Sequence, residues 1–355
     1  MIGLDAEVRR LVGWHAPPET LVLSLYLDLT GGASAALAAA REALTRSLDD
    51  PGDARAAALL GRVNARWGAL SARARDAELA GYAALATFHC AAPSLESTLC
   101  LRFPVEARCD LGRDPFLRQV LIYAEEYEST VCVVLGERVT LCEVSLGDLT
   151  RSALVVPTHG RSEPEEVNAA LYPMVSDDPK LHVVVLGPPE RAEALLAGLS
   201  DAVRERVIDR VDEALAPTDP RFLPCVHRCL QAYERRAEAT GVARLLRARD
   251  EGDAVALGLR ETLTAINQGR IATLYVLRGF RGRAWLCDAC DRLGEPPTPP
   301  VCVVCGATVT EVPVEEHLLD QAAACGAEVE TVLASDALAE AGGVGAWLQS
   351  PRGAS

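Results

Sequence analysis

The period of the hydrophobic pattern changes repeatedly along the chain, and each change marks an element. Leu4, Val8, Leu11 and Val12 recur at helical spacing and predict a helix over 1–13, closed by Pro17-Pro18. TLVLSLYLDL (20–29) is almost wholly apolar and rich in strand formers, as a central strand buried on both faces must be. An alanine-rich helix follows over 34–48, with Ser34 as its N-cap, and then the turn LDDPGD. A second long helix runs from 54 to 78, and the strands GYAALATFHC (81–90) and STLCLRFPVEA (97–107) complete a first α/β unit. Near Asp114-Pro115 a second unit begins, with strands at 129–135, 138–144 and 152–157 that read as a meander. KLHVVVLGPPERAEALLAGL (180–199) adds a strand, a turn and a helix. A third unit starts near Pro217. It has helices over 222–248 and 252–267, a strand over 270–277, a helix over 315–325, a strand over 328–333 and the closing GGVGAWL. The chain therefore reads as α/β throughout, in three domains: 1–113, 114–216 and 217–351.

Length agrees with this division, since 355 residues exceed one ordinary core. No apolar run reaches the ~18 residues of a membrane span, and the acidic N-terminus MIGLDAEVRR does not read as a secretory signal. A cytoplasmic protein without membrane or DNA partners is expected. The net charge of −15 argues against broad nucleic-acid binding. The charge is uneven, however. Residues 221–283 hold 12 arginines against 6 acids, and 284–355 hold 2 against 11. Arg228, Arg235, Arg244 and Arg247 are either a solvated helix face or contacts to RNA, and the pattern leaves both open.

Twelve cysteines change the picture further. Eight are scattered, as small buried hydrophobes in a reducing compartment would be. Four are paired as Cys287-x2-Cys290 and Cys302-x2-Cys305-Gly306 around a stiff GEPPTPP loop. Two CxxC turns brought together by a short hairpin make a closed tetrahedral sulfur site, which suits zinc and leaves no position for reacting water. A structural zinc ribbon over 284–310 is expected; a redox dithiol pair and a metal-free ribbon are the alternatives. Cys225-x-His227-x-Cys229 is weaker, because on a helix His227 points away from the two thiols.

In LRETLTAINQGRIATLYVL, the CxxC…CxxC mini-domain, EEHLLDQAAACGAEVETVL and GGVGAWL, the chain resembles the C-terminal domain of archaeo-eukaryotic class-one release factors and Pelota. The first domain resembles that family's decoding-site domain, and STVCVVL…RVTLCEV…LVVPTHGR resembles the start of its RNase H-like middle domain. More specifically, the chain is similar to the family's bacterial branch, which includes a ribosome hibernation factor. The resemblance implies a release-factor-like architecture with a zinc-ribbon insertion in the C-terminal domain. It also implies the ribosome as partner, ribosomal RNA at the A site, and elongation factor Tu for delivery. His159, Gly160 and Arg161 would face the peptidyl-transferase centre; Asp50, Pro51 and Gly52 would face the decoding centre.

Both tips depart from the family. His-Gly-Arg should lead into Gly-Gly-Gln and a long basic helix; here Arg161 is followed by Ser162-Glu163-Pro164, and the stretch before Lys180 is too short for that helix. The hairpin tip should read Asn-Ile-Lys-Ser and instead reads Asp-Asp-Pro-Gly-Asp. The expectation is a non-catalytic A-site factor for hibernation or rescue, with no catalytic residue. A diverged peptidyl-tRNA hydrolase or tRNA nuclease using His159 and Arg161 is one alternative. A scaffold retained only as a protein-interaction module is the other.

Overall fold

The structure, a computed structural model, describes residues 7–8, 10–11, 14, 20–46, 54–90, 95–112, 115–126, 129–155, 161–324 and 326–349. The chain divides into two compact units, 1–231 and 232–355.

The first unit contains two sheets. Strands β1 (Val22–Asp28), β2 (Ala84–Cys90), β3 (Glu96–Leu101) and β4 (Arg108–Gly112) form an antiparallel sheet in the order β3-β2-β1-β4. β1 is buried along nearly all its length because each face meets a different layer. Leu23, Leu25 and Leu27 pack against α1 (Ala33–Arg46) and α2 (Ala54–Leu79). Val22 and Tyr26 face the other way, toward Phe88, Leu99 and Tyr123 of α3 (Arg118–Glu126). Each such leucine or aromatic contributes about 1.5–3 kcal/mol by leaving water.

The second sheet is mixed. It joins β5 (Thr130–Leu135), β6 (Val139–Ser145), β7 (Asp148–Leu154), β8 (His182–Leu186) and β9 (Val207–Val211) in the order β7-β6-β5-β8-β9. β5 runs antiparallel to β6 and parallel to β8. One face is covered by α4 (Glu163–Asp177) and α5 (Pro189–Gly198), through Val167, Leu171 and Leu195; the short α6 (Asp201–Arg204) adds Val203. The opposite face lies under Phe222, Val226 and Leu230, which begin α7 (Phe222–Glu251). Between β6 and β7, Leu146 (φ 48°) drops into the core of the N-terminal sheet.

In the second unit, β10 (Val255–Leu257), α8 (Gly258–Asn267), β11 (Ile271–Leu277), α9 (Val314–Ala324), β15 (Glu328–Val332), α10 (Asp336–Glu340) and β16 (Val344–Leu348) build one layer system. Its sheet has the order β10-β16-β11-β15. The insertion between β11 and α9 is a small ribbon of β12 (Arg283–Cys287), β13 (Leu293–Gly294) and β14 (Val309–Pro313). Asn267 ties the ribbon to α8: its side-chain N–H donates to Leu293 O at 2.7 Å and its oxygen accepts from Leu293 N–H at 3.0 Å.

Three expectations need correction. The helix expected from 252 begins only at Gly258, because Val255–Leu257 pair with β16 and Gly258 (φ 72°) turns the chain into α8. β7 lies at 148–154 rather than 152–157, set by the tight Leu146-Gly147 turn. The stretch between Arg161 and Lys180, expected to be too short for a long basic helix and given no element, holds the fifteen-residue helix α4, which is acidic at its start. α3, α6, α10, β4 and β9 have no counterpart among the expected elements.

Candidate metal centre and the segment after Arg161

Cys287 ends β12, and the chain turns immediately: Asp291 N–H donates to Cys287 O at 3.1 Å, with Asp291 at φ 54°. The second turn is built the same way, Gly306 N–H donating to Cys302 O at 2.9 Å with Gly306 at φ 76°. Aspartate and glycine tolerate this left-handed geometry, so each CxxC closes without strain. The two turns bring Cys287 Sγ within 3.4 Å of Cys305 Sγ, Cys290 within 3.8 Å of Cys302, and Cys305 within 3.6 Å of Cys290. Four sulfurs at about 2.3 Å from one tetrahedral ion stand roughly 3.8 Å apart, so the donors have the spacing of a metal site. The backbone N–H groups of Cys305 and Val304 donate toward the Cys302 sulfur and bring its thiol down to about 6, while hydrogen bonding among the thiols pushes those of Cys290 and Cys305 up, so Cys302 is the member of the cluster that favours a thiolate. Trp285 packs against Cys287 and Cys302 and donates Nε1–H to Glu295 O at 3.0 Å. Gly294 is obligatory opposite it, since a Cβ there would lie 2.2 Å from the indole. This is the one cluster of potential metal ligands found among the described residues.

His159 and Gly160 lie outside the described residues, as do Asp50, Pro51 and Gly52. Arg161 is described and exposed, with Nη1 3.9 Å from Glu166 Oε2. Immediately after it the chain is fixed. Ser162 is the N-cap of α4, and Glu165 reaches back to accept its N–H at 2.7 Å and its hydroxyl at 2.9 Å. Those bonds hold the Glu165 carboxyl below its usual range. Glu163 takes both Nη2 contacts of Arg191, at 2.9 and 3.0 Å, while Arg191 Nη1 donates to Leu135 O at 3.1 Å and to Gly136 O. Pro164 packs so closely on α5 that a Cβ at Gly198 would stand 2.4 Å from its own Cβ. Each residue from 162 to 165 thus has a structural partner. Three carboxylates, of Glu163, Glu165 and Glu166, occupy the first turn, where the helix dipole favours them. The Ser162-x-x-Glu165 spacing is the sequence signal for this helix start; no local signal announces Arg191 or Gly198.

Cys225 and Cys229 are buried against the mixed sheet, and burial pushes the Cys229 thiol up to about 12. His227 points elsewhere, to Gly147 O at 3.0 Å, and burial lowers its pKa. The group is packing, as its spacing indicated. Of the α7 arginines, Arg235 pairs with Glu238 at 2.9 Å; Arg228, Arg244 and Arg247 are exposed. No described helix is long and apolar enough to cross a membrane.

No known protein family matches the chain in sequence, and no curated protein does. Among solved structures it is similar to the C-terminal domain of a peptide chain release factor from Methanosarcina mazei, with 20% identity over 38% of this chain and 98% of that one, at a TM-score of 0.29. It is also similar to S. cerevisiae Dom34, a translation termination-like factor interacting with Hbs1, with 15% identity over 76% and 75% of the two chains at a TM-score of 0.41. Archaeoglobus fulgidus Pelota gives 18% identity over 75% and 78%, at 0.37. At these identities and scores the likenesses carry no functional argument, which rests on the chain's own residues.

Proposed function

We propose that this protein is a non-catalytic translation factor that occupies the ribosomal A site, in hibernation or in rescue of stalled ribosomes, and that its four-cysteine group holds a structural zinc ion. One observation carries the reading: the segment that follows Arg161 is a capped, ion-paired helix start. A group that reaches into a reaction centre needs a backbone free to approach the scissile bond. Ser162-Glu163-Pro164-Glu165 has no such freedom, because its capping, its pair with Arg191 and its packing on Gly198 all hold it on the sheet. Its carboxylates would also be repelled by RNA phosphates. A chain with the resemblance described above and this end fixed acts by filling space. Cys287, Cys290, Cys302 and Cys305 would hold the zinc, which supplies folding energy to a ribbon with few large apolar residues. Delivery by elongation factor Tu and a cytoplasmic location belong to the same proposal.

Sedimentation of the tagged protein with ribosomes through sucrose, as salt is raised, tests it. Co-sedimentation that weakens steeply with salt is expected. Protein that stays wholly in the ribosome-free fraction, or purified protein that releases peptide from peptidyl-tRNA, refutes it.

A further inference from the structure

α2 carries five arginines against Asp76 and Glu78, in a protein of net charge −15. Its buried side is Leu59, Val63, Leu70, Ala74 and Ala77, which pack on the N-terminal sheet and on α1. Arg62, Arg66 and Arg73 are exposed and spaced by four and seven residues, which puts them within about 40° of one another around the axis, as a single row along one shoulder. At ~1.5 Å rise per residue the row is about 16 Å long, a length over which a nucleic-acid duplex carries roughly ten phosphates. It follows the edge strand β3: Arg66 is ion-paired with Glu96 at the start of β3, and Arg73 bears electrostatically on Cys100 within it.

Beside this row the outermost positions of α2 are Gly61, Ala65, Gly68 and Ala72, all exposed. A Cβ at Gly61 or Gly68 would meet nothing within 4 Å, so nothing described in the protein requires either glycine. Glycine is a poor choice in a helix interior, and alanine would serve the isolated protein better. The bare lane lets a broad surface come up to the helix backbone while the arginines reach its edge. Positive charge selects an anionic surface. An A-form RNA helix has a wide, shallow minor groove bordered by phosphates, recognised by shape and backbone contacts, and it fits both features.

We propose that the Arg62–Arg66–Arg73 face of α2 docks on the phosphate backbone of double-stranded RNA. The inference deepens the ribosome-binding reading and rests on it: this face, and not only the hairpin tip, holds the N-terminal domain to ribosomal RNA. The arginines supply phosphate contacts and no base readout, so binding is salt-dependent and indifferent to sequence.

The test uses the full chain, purified ribosomes and a fluorescent RNA duplex of about 20 base pairs, long enough to exceed the row, with salt varied from about 50 to 200 mM. Substituting Arg62→Gln, Arg66→Gln and Arg73→Gln together should flatten the log–log salt slope by about 2 to 3 and weaken binding about 100-fold or more near 0.1 M salt. Because Arg66 also pairs with Glu96, the double variant Arg62→Gln, Arg73→Gln keeps that pair and should flatten the slope by about 2. Gly61→Leu with Gly68→Leu leaves the charge intact and should weaken binding without changing the slope. Slopes unchanged in the arginine variants, with the wild type binding ribosomes, overturn this inference alone. A wild type that never sediments with ribosomes overturns the underlying reading. Tighter binding of polyglutamate than of the duplex overturns the choice of RNA and makes the face a dock for an acidic protein.

Discussion

Replacing Asp148 with alanine removes the residue that joins the two sheets of the first unit. Asp148 Oδ1 accepts from Arg102 Nε at 3.0 Å and Nη2 at 2.6 Å, and Oδ2 accepts from Tyr82 OH at 2.6 Å. The Arg102 guanidinium lies 4.0 Å from the Tyr82 ring centroid, and its Nη1 donates to Ala80 O at 3.2 Å. The adjoining turn is held as well: Tyr123 OH donates to Leu146 O at 2.5 Å. Hydrogen bonds to a charged group are each worth about 1.5–3 kcal/mol net, so three would sum to far more than the site can deliver. Both side chains are about a quarter exposed, at 24% and 29%, so water screens the pair and can replace part of it. Arg102 also keeps the Ala80 carbonyl and the Tyr82 face after the change. The expected loss is therefore about 2–3 kcal/mol, which for a unit of this size lowers the melting temperature by roughly 5–10 °C. Arg102→Ala alone should cost a similar amount, and the double variant should recover a coupling of about 1–2 kcal/mol. Calorimetry of the four proteins measures it. A coupling within ~0.3 kcal/mol of zero would mean that the joint is held by Leu146 burial and not by this cluster.

Three further outcomes are expected. The wild type is expected to release one equivalent of zinc in a chelator assay and Cys302→Ser is expected to release none, with Trp285 emission shifted to the red; a wild type without zinc, or a variant that keeps a full equivalent, would contradict the proposed four-sulfur site. Gly198→Ala should cost about 1–3 kcal/mol by driving a methyl group into Pro164, whereas Gly68→Ala should gain up to ~1 kcal/mol, and a denaturant titration that ranks them the other way would refute the packing argument. Burial, and then the hydrogen bond to Asp148, push the Tyr82 hydroxyl from 10.0 up to about 12, so its contribution to stability is intact below pH 10 and is lost as pH rises toward 12; Tyr82→Phe should flatten that stretch of the stability–pH curve, and an unchanged curve would refute the assignment.

The elements that the sequence made legible are those whose pattern is local. β1 reads as a buried strand because both its faces are apolar, and both faces do meet hydrophobic layers. The four ribbon cysteines read as one cluster because each CxxC turn is closed by its own backbone, and the short hairpin does the rest. β10 was misread because ALGLRETLTAIN carries helical periodicity throughout, while the pairing with Trp347 and Ala346 that makes Val255–Leu257 a strand comes from some ninety residues away. Arginine spacing on α2 was equally available in the sequence, yet which shoulder it occupies follows only once Leu59, Val63 and Leu70 are seen to be the buried side.

The stretch after Arg161 shows how much less a short segment says from sequence than from structure. Ser-Glu-Pro-Glu read alone is a stiff, acidic segment, unlike a flexible glycine loop. It does not say what the segment became. Glu163 is held by Arg191 from 28 positions away, and Pro164 by an absent side chain at Gly198, so neither partner has a periodic or compositional signature. The physical consequence runs further than the missing motif. A flexible loop without a reactive group could gain one by one or two substitutions. A helix start that is capped, ion-paired and packed must first be unfolded, at the combined cost of those interactions. The fixed state is therefore part of how this domain folds.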